Sequence, residues 1–468
     1  MSLSDQIIYG TPSTVSDALL QIRDLDYLDD FGYTPLIQTA IVNNVEMAKL
    51  VLDAGADANF ADLTGRTALH WAVDNDNHDL VKLLLESGAN ANAYTIASQP
   101  VLVKPVLRRN STMRRLLTQY SADVQFANDY ISTKLLGHRY ELKGFIDLVD
   151  PEGRFTELSY EGFILEFTLN SIRSSLIDFV KSYAARHLSD DFDFISMTTD
   201  ALDRSIELAS FQHYLIKAKE KLPRIDELLS LDPLILPIGQ EGHAITVVRF
   251  GQLIAICDRA KQKDPSAKPV EIFFMHRPQA LAASWVAPLL YQRQTLDAVK
   301  ATFKSQLGLE SAGALPMPLQ LMGNCSWANV EAAMPALKMM QDMQLQVDTN
   351  NVSTEPGEAM SLYRQWREWD KERALQFCMQ DFAQANAARK ASKVTVLAAI
   401  FVQSCLATRR HDVERARRIF PYLCEKGYEY VLKSYLSFYK HRDQSGLLEN
   451  LKELIRLSDD YGLFEDQL

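Results

Sequence analysis

"TPLIQTAIVNNVEMAKLVLDAGADANFADLTGR" (residues 34–66) runs directly into "TALHWAVDNDNHDLVKLLLESGANANAYTIASQ" (residues 67–99), and the two stretches align over 33 residues without a gap. Thr34 falls on Thr67, and Gly55 falls on Gly88. A looser third copy occupies residues 100–132, and a fourth copy can begin at Thr133. A fixed period of this length predicts a solenoid in which each unit buries its apolar faces by stacking on its neighbours.

The period and the T-x-L start of each unit resemble the ankyrin repeat, and "GRTALHWAVDNDNHDLVKLLLESGANAN" (residues 65–92) is close to that family's pattern throughout. The resemblance implies units of a turn and two short helices, and a surface that binds a protein. Pro105 interrupts the first helix of the third unit, and Ser121 replaces the glycine that ends the second helix. We therefore expect the stack to end near residue 150 and residues 13–30 to shield its other end.

Composition and charge argue against several functional classes. The 468 residues include five cysteines, with no CxxC pair and no Cys/His cluster at zinc-ligand spacing. We expect a reducing compartment, no structural metal and no cofactor. The net charge of −11 argues against a direct nucleic-acid partner. No apolar run is long enough to span a bilayer, and "MSLSDQIIYG" (residues 1–10) lacks the features of a secretory signal.

The middle of the chain changes character at residue 232. Residues 140–230 carry apolar residues at helical spacing, and "SDDFDF" (residues 189–194) is typical of a solvated loop. We predict a helical segment over residues 151–231. The next runs, "DPLILPIG", "HAITVVRF", "QLIAICD" and "VEIFFM", are short, apolar and separated by Gly, Pro or Asp, which predicts strands of an α+β domain over residues 232–345.

Three chemically active side chains stand at the ends of these predicted elements. His243 opens one strand and Asp258 closes the next, so a hairpin turning at Gly251 brings the two residues together. Cys325 begins an amphipathic helix, where the helix dipole and free N–H groups favour the thiolate. Such a set can serve as nucleophile, base and orienting carboxylate. Each residue also has a structural interpretation: a buried thiol, a loop-bonded histidine and a turn-capping aspartate.

The chain order His, Asp, Cys is similar to that of the ubiquitin-like-protein proteases, the adenovirus-type proteases and related bacterial acetyltransferases. Gln320, five residues before Cys325, stands where those enzymes carry an oxyanion-stabilising glutamine. The resemblance implies that role for Gln320, and backbone N–H groups around Asn324 add to the anion site. Ala244 and Ser326 depart from the family pattern, which has Trp after the histidine and Gly after the cysteine.

The reaction stays open at this point. Peptide or isopeptide hydrolysis, deamidation and acyl transfer all pass through an acyl-enzyme. Two other interpretations also remain: a non-catalytic adaptor on an inactive protease-derived scaffold, and an unrelated α/β domain.

Residues 358–468 have helical patterns throughout, which predicts a C-terminal helical bundle that packs on the middle domain. The last residues, "SDDYGLFEDQL", resemble the C-terminal signals of effectors delivered by type IV secretion. Together with the ankyrin units, they make the chain similar to the ankyrin-repeat effectors of Legionella. The resemblance implies delivery into the cytoplasm or nucleus of a host cell and a host protein as partner. The predicted fold class is multidomain, α and α+β.

Overall fold

The computed structural model describes residues 2–162, 164–212, 217–240, 242–261, 268–321, 323–349, 357–442, 444–459 and 464. The chain divides into two compact units. The repeat unit comprises residues 1–135, 145–159 and 382–468, and the sheet unit comprises residues 136–144 and 160–381. The predicted multidomain architecture of α and α+β type is confirmed.

The helices are α1 (Leu3–Tyr9), α2 (Pro12–Leu19), α3 (Pro35–Ile41), α4 (Val45–Asp53), α5 (Ala68–Asp74), α6 (His78–Glu86), α7 (Val103–Leu107), α8 (Ser111–Gln119), α9 (Val124–Tyr140), α10 (Leu165–Lys181), α11 (Phe192–Ser210), α12 (Leu222–Ser230), α13 (Ala283–Tyr291), α14 (Leu296–Leu307), α15 (Cys325–Glu331), α16 (Ala333–Thr349), α17 (Gly357–Gln384), α18 (Ala387–Ser404), α19 (Arg410–Leu423), α20 (Tyr430–His441) and α21 (Ser445–Ser458). The strands are β1 (Phe145–Val149), β2 (Phe155–Ser159), β3 (Leu234–Gln240), β4 (His243–Phe250), β5 (Leu253–Cys257), β6 (Val270–Met275) and β7 (Leu309–Leu315).

The helix pairs α3–α4, α5–α6 and α7–α8 follow the 33-residue period of the sequence. Gly55 and Gly88 end the second helices of their pairs at φ values of 100° and 89°, a region that favours glycine. The amide side chain of Asn59 links neighbouring units, because Nδ2 donates to Gly88 O and Oδ1 accepts from Asn90 N. Asn92 makes the corresponding contact with Ser121 O, so these asparagines stabilise the stacked loops.

The two ends of the stack differ. At the N-terminal end α1 and α2 pack on α3 and α4 as a helix pair that continues the same period, so the cover expected from residues 13–30 includes α2. At the other end no fourth copy begins at Thr133, because α9 runs through that position without a break.

The C-terminal helices group differently from our expectation. We expected residues 358–468 to pack on the middle domain; residues 358–381 do belong to the sheet unit, but residues 382–468 belong to the repeat unit. Buried Asp129 of α9 holds them there: its carboxylate accepts from Arg389 Nε at 2.6 Å and from Lys393 Nζ at 2.8 Å. The signal-like C-terminal residues lie mostly outside the described part of the chain, which at that end comprises residues up to 459 and residue 464.

The sheet unit is built on an antiparallel sheet in which β3, β4, β5, β6 and β7 follow one another in order. Strands β3 to β6 lie where the apolar runs predicted them, while β7 was not predicted. The helical expectation for residues 140–230 is wrong over β1 and β2, which form a hairpin. It is also wrong over residues 189–194, where a 3-10 helix ending at Asp191 leads into α11 in place of the expected loop.

The hairpin of β4 and β5 sets the position of the chemistry. Phe250 pairs with Leu253 at the turn, and Thr246 pairs with Cys257 at the open end. Strand β4 therefore begins, and β5 ends, at the same edge of the sheet. Helices α15 and α16 pack against β4, which brings the start of α15 to that edge.

Candidate active site

The structure brings His243 and Asp258 into hydrogen-bonding contact at the open end of the β4–β5 hairpin. Nε2 of His243 lies 2.9 Å from Oδ1 of Asp258. The side chain of Asp258 is only 3% exposed, whereas that of His243 is 20% exposed. A buried carboxylate on one ring nitrogen fixes the orientation of the imidazole.

Cys325, the first residue of α15, lies on the other side of the imidazole. Its side chain interacts with that of His243 by a hydrogen bond. Because Asp258 occupies Nε2, the nitrogen available to the thiol is Nδ1. The backbone N–H groups of Ala244 and Ser326 also donate to the sulfur. The thiol thus lies among donors that stabilise a thiolate.

These contacts shift both pKa values toward the charged pair. The hydrogen bond with Asp258, followed by the one with Cys325, raises the pKa of His243 to about 9. Burial by itself raises the pKa of the Cys325 thiol, but the hydrogen bond and charge of His243 outweigh it, and the net pKa lies below its ordinary value. Both shifts favour the charged pair of thiolate and imidazolium more than isolated cysteine and histidine side chains would.

Another cysteine shows the opposite behaviour and provides a contrast. Burial and the nearby carboxylates of Asp459 and Glu429 raise the pKa of Cys424 to about 12. Burial likewise raises the pKa of Cys257, at the end of β5. The depressed pKa of Cys325 thus comes from its own surroundings and does not follow from partial burial.

Gln320 and Asn324 lie beside this site but are not among the residues that line the cleft. The backbone N–H of Gln320 donates to Arg259 O at 2.8 Å. The side-chain oxygen of Gln320 is buried without a partner, as are both polar side-chain atoms of Asn324. Their predicted contribution to an oxyanion site stays a prediction.

The cleft in front of Cys325 has a volume of about 500 Å³. Among the described residues that line it, none carries a carboxylate, and several are glycines whose backbone forms the wall. The lining residues are Gly162, Leu165, Gln212, Gly239, Gln240, Gly242, His243, Ala244, Leu290, Tyr291, Gln292, Arg293, Gly323, Cys325 and Ser326. A Cβ at Gly323 would lie 2.8 Å from Glu161 Oε2, so a side chain there would require the Glu161 carboxylate to move.

Sequence reasoning missed Lys300, which reaches the site from α14. Its Nζ lies 2.6 Å from Asp258 Oδ2, the carboxylate oxygen that does not face His243. Forty-two residues separate the two positions, and no local pattern indicates the contact. Its only sequence signal is a lysine at an ordinary helical position.

A buried cluster of charged and polar side chains holds α15 in place. The guanidinium of Arg259, fully buried, lies 2.7 Å from Glu331 Oε1 at the end of α15. The same carboxylate accepts from Tyr363 OH at 2.8 Å and, through its other oxygen, from Trp327 Nε1 at 3.1 Å. The residue after Asp258 is thereby connected to the helix that begins with Cys325.

Over the described ranges, no group of three or more His, Cys, Asp or Glu side chains is placed to hold a metal ion. None of the helices in that part of the chain combines the length and apolarity needed to cross a membrane.

Comparison with known proteins gives matches to the N-terminal repeats and a match to nearly the whole chain. Residues 6–95 match the ankyrin-repeat family as three copies. The Notch protein of Drosophila melanogaster is 46% identical over 65 residues, and inversin of Gallus gallus is 45% identical over 66 residues. Each match covers 14% of this chain, and the chain spans only 2% and 6% of the lengths of those proteins.

The full length of the chain has a counterpart among solved structures. The Legionella effector AnkH is similar with a TM-score of 0.83 and 39% sequence identity. The similarity covers 98% of this chain and 97% of that one, so it includes the sheet unit as well as the repeats.

Proposed function

The chain belongs to the family of the Legionella effector AnkH, and on this premise we propose that it acts inside a host cell, binding a host protein through its ankyrin repeats and modifying it by thiol chemistry at Cys325. Delivery by type IV secretion and action in the host cytoplasm or nucleus are parts of the same proposal. The reaction class is acyl transfer from a protein substrate to the thiol.

One observation supports the catalytic part most strongly. Cys325, His243 and Asp258 come from three separate elements of the sheet unit, and they meet in the order nucleophile, base and orienting carboxylate. A cysteine with an ordinary packing role needs neither a raised histidine pKa nor backbone donors aimed at its sulfur. The resemblance to the ubiquitin-like-protein proteases and bacterial acetyltransferases adds to the proposal.

In the proposed reaction the thiolate of Cys325 attacks the carbonyl carbon of the substrate, and the carbonyl π electrons move to the oxygen. When the tetrahedral intermediate collapses, the bond to the leaving group breaks, and the His243 imidazolium gives that group its proton. The products are a thioester on Cys325 and a neutral imidazole. The imidazole then takes a proton from water, or from another acyl acceptor, as that molecule attacks the thioester carbon. The C–S bond breaks, the acyl product leaves, and the Cys325 thiolate and His243 imidazolium are restored.

A non-catalytic adaptor on the same scaffold is the second candidate. It is favoured by the placement of Gln320, which does not line the cleft and leaves the side-chain oxyanion donor of the protease-like enzymes unassigned. An adaptor binds its partner equally well when Cys325 is replaced by Ala.

Reaction of the full-length protein with p-nitrophenyl acetate tests the proposal. An acyl-enzyme mechanism predicts a burst of nitrophenolate, an acetyl adduct on Cys325 in the mass spectrum, and slower continued turnover. The burst and the adduct should be lost in Cys325→Ala and strongly slowed in His243→Ala. Acetylation of Cys325 at the same rate in wild type and His243→Ala would favour the adaptor.

A further inference from the structure

Asn329, in the middle of α15, uses every polar atom of its side chain on two backbone partners. Its Oδ1 accepts from Arg259 N at 2.8 Å, and its Nδ2 donates to Ala244 O at 2.6 Å. The residue is fully buried. Because one partner is a donor and the other an acceptor, the amide fits in only one orientation.

The register of the sheet shows what this amide replaces. The last pair of the β4–β5 ladder is Thr246 with Cys257, and two further steps would place Ala244 opposite Arg259. The described ladder stops before that point. Asn329 lies between the two strand ends and bonds the C=O of one and the N–H of the other, as a ladder rung would.

Each contact of Asn329 lies next to a residue of the candidate site. Ala244 follows His243, Arg259 follows Asp258, and Asn329 itself lies four residues after Cys325, on the same face of α15. Ala244 has a double role, because its C=O accepts from Asn329 while its N–H donates to the Cys325 sulfur.

We propose that Asn329 is a positioning residue: its amide separates the ends of β4 and β5 by the width of one side chain and fixes the start of α15 to both. This separation is what allows the Cys325 thiol to meet the His243 imidazole while Asp258 stays bonded to its far side. The inference rests on the proposed function, since it assigns a role in aligning the same three residues.

Loss of the amide leaves a buried C=O and a buried N–H without partners, and the two strand ends must move to satisfy them. The consequence at the site is a longer or misdirected contact between thiol and imidazole. The thiolate form of Cys325 then loses part of its stabilisation, although the fold survives.

The test is the pH profile of Cys325 alkylation by iodoacetamide in full-length protein, followed by mass spectrometry. Asn329→Leu removes both bonds without adding charge, and Asn329→Asp keeps the acceptor for Arg259 N but loses the donor for Ala244 O. Ser205→Ala is the matched control, because Ser205 is fully buried and bonds Ile235 O on β3, away from the thiol.

We expect the midpoint of the profile to move upward by about one pH unit in both Asn329 variants, so that labelling at a pH well below both midpoints slows about tenfold. Ser205→Ala should keep the wild-type pH profile of Cys325 labelling, including where it lowers the urea midpoint of unfolding as much as the Asn329 variants do. Wild-type profiles in both Asn329 variants, with slow labelling in His243→Ala, would overturn this inference alone. Equal labelling of wild type and His243→Ala would instead overturn the proposed function.

Discussion

Lys300 and Asp258 form a partly buried ion pair, with Nζ 2.6 Å from Oδ2, on the carboxylate oxygen opposite to the one that faces His243. When the imidazole is protonated, the Asp258 carboxylate therefore contacts two cations, one at each of its oxygens. Lys300 holds Asp258 in the rotamer that directs Oδ1 at the ring, and its charge lowers the electrostatic cost of a nearby thiolate.

Replacing Lys300 by Met should raise the pKa of the Cys325 thiol, because a positive charge near the site is lost. We expect the shift to be smaller than that of His243→Ala, and less than about one pH unit. The measurement is the pH profile of iodoacetamide labelling at Cys325. Lys304→Met removes one positive charge from an exposed position on the same helix and should leave the profile unchanged. Equal shifts in both variants would contradict a specific role for Lys300.

Asp258→Asn should lower the pKa of His243 from about 9 toward its ordinary value of 6.5, because the hydrogen bond to Asp258 is the largest cause of the raised value. A raised histidine pKa means that the imidazolium persists until the pH rises through about 9. In the variant it should be lost as the pH rises through a value nearer 6.5. Titration of ¹³Cε1-labelled histidine by NMR follows the ring directly, with His243→Ala assigning its signal; a midpoint still near 9 would show that Asp258 does not set it.

Arg259→Met should destabilise the sheet unit by about 3 kcal/mol, since the buried Glu331 carboxylate loses its nearer cation at 2.7 Å and keeps only the Arg367 guanidinium at 3.8 Å. The exposed pair of Arg224 and Glu207 offers a control. Arg224→Met should change the free energy of unfolding by less than about 1 kcal/mol. Urea unfolding compares the two variants, and similar midpoints would contradict the structural importance of the buried cluster.

Ser121→Gly should stabilise the repeat unit by about 1 kcal/mol, because Ser121 occupies a backbone conformation with φ of 66° that disfavours side chains. The reverse change, Gly88→Ser, should destabilise by a similar amount, since open space surrounds the position and only backbone strain is added. Thermal denaturation followed by circular dichroism should order the midpoints as Ser121→Gly, wild type, Gly88→Ser. A lower midpoint for Ser121→Gly than for wild type would contradict the argument.

The sequence was most informative where structure repeats or alternates locally. The 33-residue period predicted the ankyrin helix pairs, and short apolar runs predicted β3 to β6. The hairpin at Gly251 was enough to place His243 near Asp258, because the register of an antiparallel pair follows from its turn. Strand β7, "LESAGAL" (residues 309–315), was missed because it is half exposed and lacks a clear apolar run.

The contacts that complete the site were beyond local reasoning. Lys300 reaches Asp258 from a helix 42 residues away, and Asn329 bonds Ala244 across 85 residues. A lysine on a helix and a buried asparagine have many ordinary uses, so their residue types indicate nothing by themselves. The grouping of the C-terminal helices with the repeats likewise depends on ion pairs to Asp129 that span more than 250 residues.

Whether His243 lowers the pKa of the Cys325 thiol is measured by the alkylation of Cys325 with iodoacetamide between pH 5 and 10. Wild type and His243→Ala are compared by mass spectrometry, with Cys257, Cys378, Cys405 and Cys424 as internal references in the same molecule. We expect fast labelling of Cys325 that persists well below pH 8, and a profile in His243→Ala that moves upward to the range of an ordinary thiol, since burial is then opposed only by the backbone N–H groups of Ala244 and Ser326. Slow labelling of Cys325 that is indifferent to His243 would contradict the account.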